Sequence, residues 1–457
     1  MQKITRIVLK TDLTKQEIFE NIKRVYTGAC FLNTSYKTAS AKNFSYIGYD
    51  PFCRIMSKGN TVTVADESGY REICGNPLKC LDEIISENRV RTHNEFDFIA
   101  GGIGYFSYDL KNIIEHLPAL AKRDVDIPDM YFNFFRTILV FEENNAGKIT
   151  AFFLFADKSM DKRITQLKNF AVIPPKPSGS AYTVKNLVSN FTKNSYINAV
   201  AKVKRYIRDG DIFQVCLSQR FKSDFQGSPW ALYKNLDSIN PAPFSAYFDL
   251  DIVKIISASP ELFLRIKDGI VITKPMKGTR PRACDASADK RNMRDLISSS
   301  KDDAELSMIV DLERNDLGKI CKPGSIAVVK HREIEKYASV FQTTSTVAGN
   351  LPQKQYSVEK IIRSVFPGGS ISGCPKIRAM EIIDELEPTA RNIYTGVLGY
   401  ISFHNTMTLN VGIRIITIIR NKLYFQTGGG IVADSNEENE YIETLVKAGS
   451  IKSALGL

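Results

Sequence analysis

The chain has 457 residues, of which 43% are hydrophobic and 24% charged, and its 61 Lys and Arg against 50 Asp and Glu give a net charge of +11. This composition excludes an intrinsically disordered or fibrous protein, and a chain of this length can bury a large core without disulfide bonds. The positive charge favours an anionic partner. A solvated basic surface is the simpler explanation than nucleic acid, because the sequence has no arginine-rich arm, zinc finger or RNA-binding signature.

The cysteines and the apolar segments indicate the cellular compartment of the protein. The eight cysteines form no C-x-x-C pair and have no nearby histidine, so neither a zinc site nor a secreted disulfide framework is predicted. This usage favours a reducing compartment, the cytoplasm. The first residues are too polar for a signal peptide, and the longest apolar runs have the length of strands, so we expect no membrane association.

A proline- and glycine-rich stretch, Val172–Tyr182, predicts a linker between two domains, an amino-terminal β-rich domain over 1–172 and a domain with the polar motifs over 183–457. Helices and strands alternate after the linker, so the predicted fold class is mixed α/β, rich in antiparallel strands. The β-type segments before the linker are Thr61–Val64, Tyr105–Tyr108, Thr137–Phe141 and Ile149–Phe155.

The second part of the chain opens with a predicted helix and strand. Asn194 or Ser195 is expected to cap the helix, and Asp209-Gly210 to end it. A strand is predicted directly afterwards, over Ile212–Leu217.

Two acidic pairs lie on predicted helices. Asp302 and Glu305, within the helical pattern Lys301–Leu312, are three residues apart and share one face, as do Glu440 and Glu443 near the carboxyl terminus. With no lysine at those steps to balance them, four carboxylates would repel each other unless a cation lay between them. Mg²⁺ suits such oxygen ligands. The alternative is that both pairs are solvated helix faces, which is common.

Glycine-rich segments and one arginine point to an anionic ligand. Phe366–Arg378 reads FPGGSISGCPKIR, in which Pro375 suits the first position of a helix whose amides could bind a carboxylate or phosphate. The predicted strand Lys422–Gln426 runs into a second glycine-rich turn, Gly428–Gly430, where a ligand can approach the backbone. Arg414, predicted within a strand, is either a core-edge residue or a clamp for a carboxylate.

A predicted hairpin brings an acid close to an amine. Asp268-Gly269 is a strong two-residue hairpin signal, and either of two registers places Glu261 near Lys277. A surface ion pair is the simpler interpretation. A lysine of ordinary pKa is uncharged in only about one molecule in 2,500 at pH 7, so a nucleophilic role would require desolvation or nearby positive charge.

Three motifs resemble the chorismate-utilising enzymes: DDAELSMIVDLERNDLG from Asp302, FPGGSISGCPKIRAMEIIDELEP from Phe366, and GGGIVADSNEENEYIETLVKA from Gly428. The family comprises anthranilate, aminodeoxychorismate, isochorismate and salicylate synthases. The resemblance implies two intertwined α/β domains, with antiparallel sheets packed as a sandwich and helices outside, and it implies that 183–457 is the chorismate-binding catalytic domain.

Within the family, the resemblance favours component I of the aminodeoxychorismate synthases, on the p-aminobenzoate branch of folate synthesis. Lys277 in PMKGT is the hallmark of that group, where anthranilate synthases, the alternative, carry alanine. Gln214 replaces the lysine base of isochorismate and salicylate synthases. Gln342 replaces a histidine linked to pyruvate elimination, and an amide is no acid–base catalyst near neutrality.

The resemblance also implies roles for individual residues. Lys277 would attack C2 of chorismate while Glu261 protonates the departing C4 hydroxyl, and ammonia would then add at C4. Glu305 and Glu443 would bind Mg²⁺ directly, with Asp302 and Glu440 acting through water. The substrate and its anionic groups would be bound by Arg414, Tyr394, Lys447, Gly428, Gly429 and Gly430, with Gly278, Thr279, Gln214 and Gln342 beside the nucleophile.

The chain has four histidines and no cysteine in a G-x-C-x-G elbow, so we expect a separate glutamine amidotransferase subunit to supply ammonia. A different class of function, a basic binding module without catalysis, would leave the acidic pairs on the surface and would bind polyanions with a steep salt dependence.

Overall fold

The computed structural model describes residues 4–36, 44–92, 95–142, 147–155, 159–176, 181–338, 340–353 and 356–457. The strands, β1 to β22 in chain order, are Ile4–Lys10, Cys30–Asn33, Phe44–Lys58, Thr61–Asp66, Gly69–Cys74, Gly101–Phe106, Met130–Glu142, Lys148–Leu154, Tyr182–Ser189, Gln214–Gly227, Phe244–Asp249, Lys254–Ser259, Leu262–Lys267, Ile270–Lys274, Met276–Pro281, Ala327–Lys336, Val340–Asn350, Gly373–Cys374, Val397–Ser402, Met407–Val411, Ile415–Ile419 and Lys422–Ile431. The α-helices, α1 to α12, are Lys15–Lys23, Pro77–Glu87, Lys111–Ile114, Met160–Val172, Lys193–Arg208, Pro229–Ile239, Ala286–Ser298, Ser300–Gly318, Val358–Val365, Lys376–Leu386, Glu437–Lys447 and Gly449–Ala454.

Antiparallel pairing connects strands from the two ends of the chain. β2 pairs with β11, and β6 pairs with β19, so strands that precede the predicted linker lie beside strands that follow it. The long central pairs β3–β7 and β10–β22 are antiparallel as well. The predicted fold class, a mixed α/β protein with antiparallel sheets and intertwined parts, is confirmed.

The hydrophobic cores also draw on both parts of the chain. In one core, Trp230 packs against Phe19 and Tyr233, with ring centroids 4.9 Å apart in both contacts. Another core combines Phe98 with Phe248. Burying side chains of this size contributes roughly 1.5–3 kcal/mol each, so these shared cores stabilise the association of the two parts.

Most predicted strand segments lie within observed strands. Two segments extend beyond the end of their strand. Tyr105–Tyr108 does so because β6 stops at Phe106 and Tyr108 begins a short 3-10 turn, and Ile149–Phe155 does so by one residue because β8 stops at Leu154. The strand predicted over Ile212–Leu217 begins at Gln214, as β10, and continues far beyond the predicted end.

The helix α5 begins two or three residues earlier than predicted. Its N-cap is Thr192 and not Asn194 or Ser195, because the Ser195 amide donates to the Thr192 hydroxyl (3.1 Å) while the Thr192 amide donates to Ser195 Oγ (2.9 Å). This reciprocal pair satisfies two amides that the first turn would otherwise leave without partners. The predicted end is confirmed, with Asp209 as the C-cap.

The predicted linker falls between α4, which ends at Val172, and β9, which begins at Tyr182; residues 177–180 within it lie outside the described residues. All eight cysteines are free. No helix in the described part of the chain is long and apolar enough to cross a membrane.

Candidate active site

A cavity of about 650 Å³ opens between β10, β15, β22 and the helices α8 and α11. Its volume suits a small organic ligand. The walls include nearly all the residues that the sequence singled out, namely Glu261, Lys277, Gly278, Thr279, Asp302, Glu305, Gln342, Tyr394, Arg414, Gly428, Gly429, Gly430, Glu440, Glu443 and Lys447. Gln214 is not part of the cavity wall and lies behind Gly430.

The β13–β14 hairpin places the acid beside the amine, as its sequence predicts. Asp268 and Gly269 form the two-residue loop with φ of 52° and 80°, as a type I′ turn requires. The register then shifts between Leu262 and Arg265. This bulge and the short β14 bring the residue preceding β13 next to the start of β15.

Glu261 is buried at that junction. Its carboxylate is only 5% exposed, accepts a hydrogen bond from Ser370 Oγ at 2.6 Å, and accepts another from the backbone amide of Met276. Burial raises the pKa of Glu261 to about 7, against the opposing effects of Ser370 and the charge of Lys277. A carboxyl group with this pKa can hold a proton near neutrality and release it to a leaving group.

Lys277 points its amine toward the glycine strand. A methyl group on Gly430 would lie 3.2 Å from Lys277 Nζ and would overlap the side-chain amide of Gln214. Gln214 is fully buried, and neither its Oε1 nor its Nε2 has a hydrogen-bond partner among the described residues. A buried amide without partners is costly, and this one lies behind Gly430, next to the amine of Lys277 and outside the cavity wall.

The two acidic pairs converge from α8 and α11. Burial raises the pKa of Glu305, and the charge of Glu443 on the opposite helix raises it further. Burial also raises the pKa of Glu440, again with a contribution from Glu443. The carboxylates therefore lie close enough to act on one another, which a pair of unrelated solvated faces would not do.

The expectation that these carboxylates lack balancing cations is wrong for three of them. Lys447 lies 2.6 Å from Glu443, Lys301 lies 4.0 Å from Glu305, and Arg280 lies 3.1 Å from Asp302. The two lysine pairs are spaced i, i+4 along their helices, a relation that the i, i+3 pattern did not include. Lys447 and Lys277 lower the pKa of Glu443 despite its burial. Exposed pairs of this kind contribute only about 0.3–0.5 kcal/mol, so a stronger cation can displace them.

Glu440 differs from the other three. Its Oε1 accepts from Ser435 Oγ at 2.6 Å, whereas its buried Oε2 has no hydrogen-bond partner in the described part of the chain. A methyl group on Gly429 would lie 3.1 Å from that oxygen and 3.4 Å from Glu443 Oε1. Hard, partly unpartnered carboxylate oxygens beside an open glycine backbone fit a divalent cation such as Mg²⁺. Among the described residues, no group of three or more His, Cys, Asp or Glu side chains is close enough together to hold a metal ion.

Two predictions about the backbone are wrong. Arg414 does not lie in a strand: it falls between β20 and β21 with φ of 49°, a left-handed conformation that turns the chain. The three glycines do not form a turn either, because Gly428, Gly429 and Gly430 belong to β22 and pair with β10. Glycine is still needed at these positions of the strand, since a side chain there would enter the cavity or clash with β10.

Arg414 has no acidic partner among the described residues. Its one hydrogen bond there is long, from Nη1 to Asn240 Oδ1 at 3.4 Å. Burial lowers the pKa of Arg414, and Tyr337 partly offsets this. A half-buried guanidinium on a cavity wall is suited to a carboxylate of the ligand, which it would bind in bidentate fashion.

The remaining predicted residues line the wall around Lys277. Gln342 Nε2 donates to Thr279 Oγ1 at 3.3 Å, and Gln342 Oε1 is buried without a partner in the described structure. Gly278 has φ of 67°, and a side chain there would press on Asp302. Lys447 Nζ donates to the carbonyl oxygen of Gly428 at 3.0 Å.

Arg391 organises the floor of the cavity and was not predicted. It is 2% exposed and donates to Glu387 Oε1 (2.7 Å), to the carbonyl oxygen of Cys216 (2.7 Å) and to that of Ile371 (3.0 Å). Its guanidinium also lies 5.8 Å from the ring centre of Tyr394. The one available signal was the i, i+4 spacing of Glu387 and Arg391, which also occurs on many exposed helices.

Comparisons with known proteins identify the family of the chain. Residues 29–453 match the family described as chorismate binding enzyme. The chain is 35% identical to aminodeoxychorismate synthase component 1 of Escherichia coli (strain K12) over 429 residues, covering 93% of both chains. It is 36% identical to anthranilate synthase component 1 of Aquifex aeolicus over 394 residues, 83% of this chain and 79% of that protein. The crystal structure of anthranilate synthase component I from Streptococcus pneumoniae superposes with a TM-score of 0.78 at 32% identity, covering 91% of this chain and 93% of that one.

Proposed function

The chain belongs to the family of chorismate-binding enzymes, and on that premise we propose that it is component I of an aminodeoxychorismate synthase. It would convert chorismate and ammonia to 4-amino-4-deoxychorismate for p-aminobenzoate and folate synthesis. The observation that carries the proposal is Lys277 on the cavity wall beside the buried acid Glu261. Ammonia would come from a glutamine amidotransferase subunit, and cysteine usage favours a cytoplasmic location.

The proposed reaction has two displacement steps. The uncharged amine of Lys277 forms a bond to C2 of chorismate, the ring double bonds shift, and the C4–O bond breaks as Glu261 gives its proton to the leaving hydroxyl. Ammonia then forms a bond to C4, and the C2–N bond to Lys277 breaks. The raised pKa of Glu261, about 7, supports its role as the proton donor.

The remaining polar groups suit the anionic substrate. Arg414 and Lys447 are placed to bind carboxylates, and Gln214 offers a buried amide beside the amine. We propose that Glu305 and Glu443 hold Mg²⁺ directly, with Glu440 and Asp302 acting through water; the bound ion would neutralise and orient a substrate carboxylate.

Anthranilate synthase component I is the alternative, since relatives of both kinds share about a third of their residues with this chain. An anthranilate synthase would eliminate pyruvate within the same site. Gln342 occupies the cavity wall with an amide that cannot shuttle a proton near neutrality, and this favours a product that keeps its pyruvyl group.

Product analysis separates the two functions. The chain, chorismate, Mg²⁺ and ammonium should give aminodeoxychorismate by mass spectrometry, and a pyruvate-eliminating lyase should convert it to p-aminobenzoate. Anthranilate fluorescence without any lyase would overturn the proposal in favour of the alternative. Recovery of unreacted chorismate would contradict both.

A further inference from the structure

The segment 366–376 carries Ser370, the residue that donates to Glu261. Helix α8 holds this segment at two places. Near its start, the Gly369 amide donates to Glu313 Oε1 at 3.0 Å. At its end, Lys376 Nζ forms an ion pair with the buried Asp316. Both carboxylates lie on the last turns of α8, so the position of Ser370 is set by that helix.

Glu313 joins three parts of the active site. It is 6% exposed, and its second oxygen, Oε2, accepts from Thr273 Oγ1 at 3.2 Å, on the strand β14 that precedes Lys277. A methyl group on Gly369 would lie 2.5 Å from Leu312 Cδ2 and 3.3 Å from Glu313 Oε1, so the glycine permits the close approach of α8. The buried carboxylate of Glu313 therefore joins α8 to the strand β14 that precedes Lys277 and to the Gly369 amide that precedes Ser370.

We propose that Glu313 is a positioning residue for Glu261, which it serves by fixing the Gly369–Ser370 turn and by placing a second carboxylate near the proton donor. The inference rests on the proposed function in that Glu261 is taken as the acid of the reaction. Glu313 itself is not among the residues that line the cavity, so it acts through Ser370 and through its charge.

The charges around the two carboxyl groups support this role. Three charged or titratable groups lie near Glu261, namely Lys277 on β15, Glu313 on α8, and Tyr337. The charge of Glu261 helps to raise the pKa of Tyr337. Glu313 faces Lys376 and Asp316. The pKa of each glutamate is raised to about 7, chiefly by burial, and the charge of Glu313 is among the causes that raise the pKa of Glu261. The charge of Glu313 therefore bears on the titration of Glu261.

The same helix also carries the predicted metal ligands. Glu305 and Glu313 are eight residues apart on α8, which corresponds to about 12 Å along a rigid helix. The carboxylate of Glu305 and the turn that carries Ser370 are therefore both attached to one helix.

The test compares two substitutions at this position in the full-length protein. Glu313→Gln keeps an acceptor for the Gly369 amide but removes the charge, so the titration of Glu261 should move to lower pH by about 0.5–1 unit. Carbon-13 NMR of labelled glutamate side chains in the free protein reports this titration, with Glu261 assigned from Glu261→Gln. Glu313→Leu leaves the amide unpaired and should lower kcat at least tenfold with little change in KM.

The matched control is Asp311→Asn on the exposed face of α8, where the side chain is 72% exposed, and it should leave both readouts unchanged. An unshifted Glu261 titration in Glu313→Gln would overturn the inference, whether or not Glu313→Leu folds. Because that titration needs no substrate, it is independent of the proposed function. A chain that makes no aminated product yet shows the shift would refute the function and leave the linkage between the two glutamates intact.

Discussion

The amine nitrogen of Lys277 lies 3.2 Å from the point that a methyl group on Gly430 would occupy. Gly430 lies in β22 opposite Cys216 in the paired strand β10, so the backbone there is fixed from one side. A side chain at this position would therefore crowd the amine of Lys277 and the buried amide of Gln214.

Gly430→Ala should reduce turnover because the new methyl group would overlap the Gln214 amide and crowd Lys277. Overpacking of this kind costs about 1–3 kcal/mol, which corresponds to about 5–150-fold in kcat/KM if it is expressed in the reaction. Steady-state kinetics with chorismate and ammonium measure the effect. Gly449→Ala, where a methyl group meets no atom within 4 Å, is the control and should keep full activity.

Lys277→Ala should abolish amination while chorismate still binds, because Arg414 and the glycine strand remain. Product detection by mass spectrometry measures the first effect, and calorimetric titration with chorismate in the presence of Mg²⁺ measures the second. Unchanged turnover would remove the lysine from the mechanism.

The pH profile of kcat should change slope near pH 7, because Glu261 must be protonated to donate and its pKa lies there, while the amine of Lys277 must be uncharged to attack. Glu261→Gln should lose this change of slope together with about 10²–10⁴-fold of the rate. The profile of kcat, measured under saturating chorismate, tests both statements. A change of slope near pH 7 that persists in Glu261→Gln would assign the proton to another group.

Stability should depend on pH through Glu261 in a defined direction. Its pKa is about 7 in the folded protein against 4.5 for an unperturbed glutamate, so the folded state binds the proton more tightly. The stabilisation is complete below pH 4.5 and is lost as pH rises through 7, by up to about 3 kcal/mol. Urea unfolding of Glu261→Gln and of the wild type should therefore favour the variant increasingly between pH 5 and pH 8. A pH-independent difference would show that Glu261 titrates normally.

Glu440→Gln should raise the Mg²⁺ concentration needed for half-maximal activity by about 10–100-fold, the usual effect of losing a residue that supports metal ligands. Direct titration of the protein with Mg²⁺ should show the same weakening without substrate. Glu438→Gln, on the exposed side of α11 where Glu438 pairs with Lys193, is the control. Equal Mg²⁺ dependence in the two variants would place the ion elsewhere.

The sequence predicts the parts of this site that depend on local spacing. The i, i+3 carboxylates and the Asp268-Gly269 loop follow from the geometry of single elements, so they could be recognised without a structure. Ser370 and Glu313 could not, because their roles arise where α8, β14 and segment 366–376 meet. A hydrogen bond between residues 56 or 109 positions apart leaves no periodic signal in the chain.

The misplacement of Arg414 has a related cause. An apolar run around an arginine is typical of a strand, and only the backbone angle of 49° reveals that the chain turns there between β20 and β21. The N-cap error at α5 is similar, since Thr192, Asn194 and Ser195 are all good caps and the reciprocal bonds decide among them.

The pairings β2–β11 and β6–β19 have a consequence for how the molecule is made. A nascent chain that has emerged only as far as the stretch after Val172 presents two strands whose neighbours have yet to be synthesised, and unpaired strand edges are sites of aggregation. The strands β2 and β6 can therefore complete their pairing only after the rest of the polypeptide has been synthesised. Expressing the two parts as separate genes would have to overcome the same exposed edges, and co-expression is the arrangement in which they could find each other.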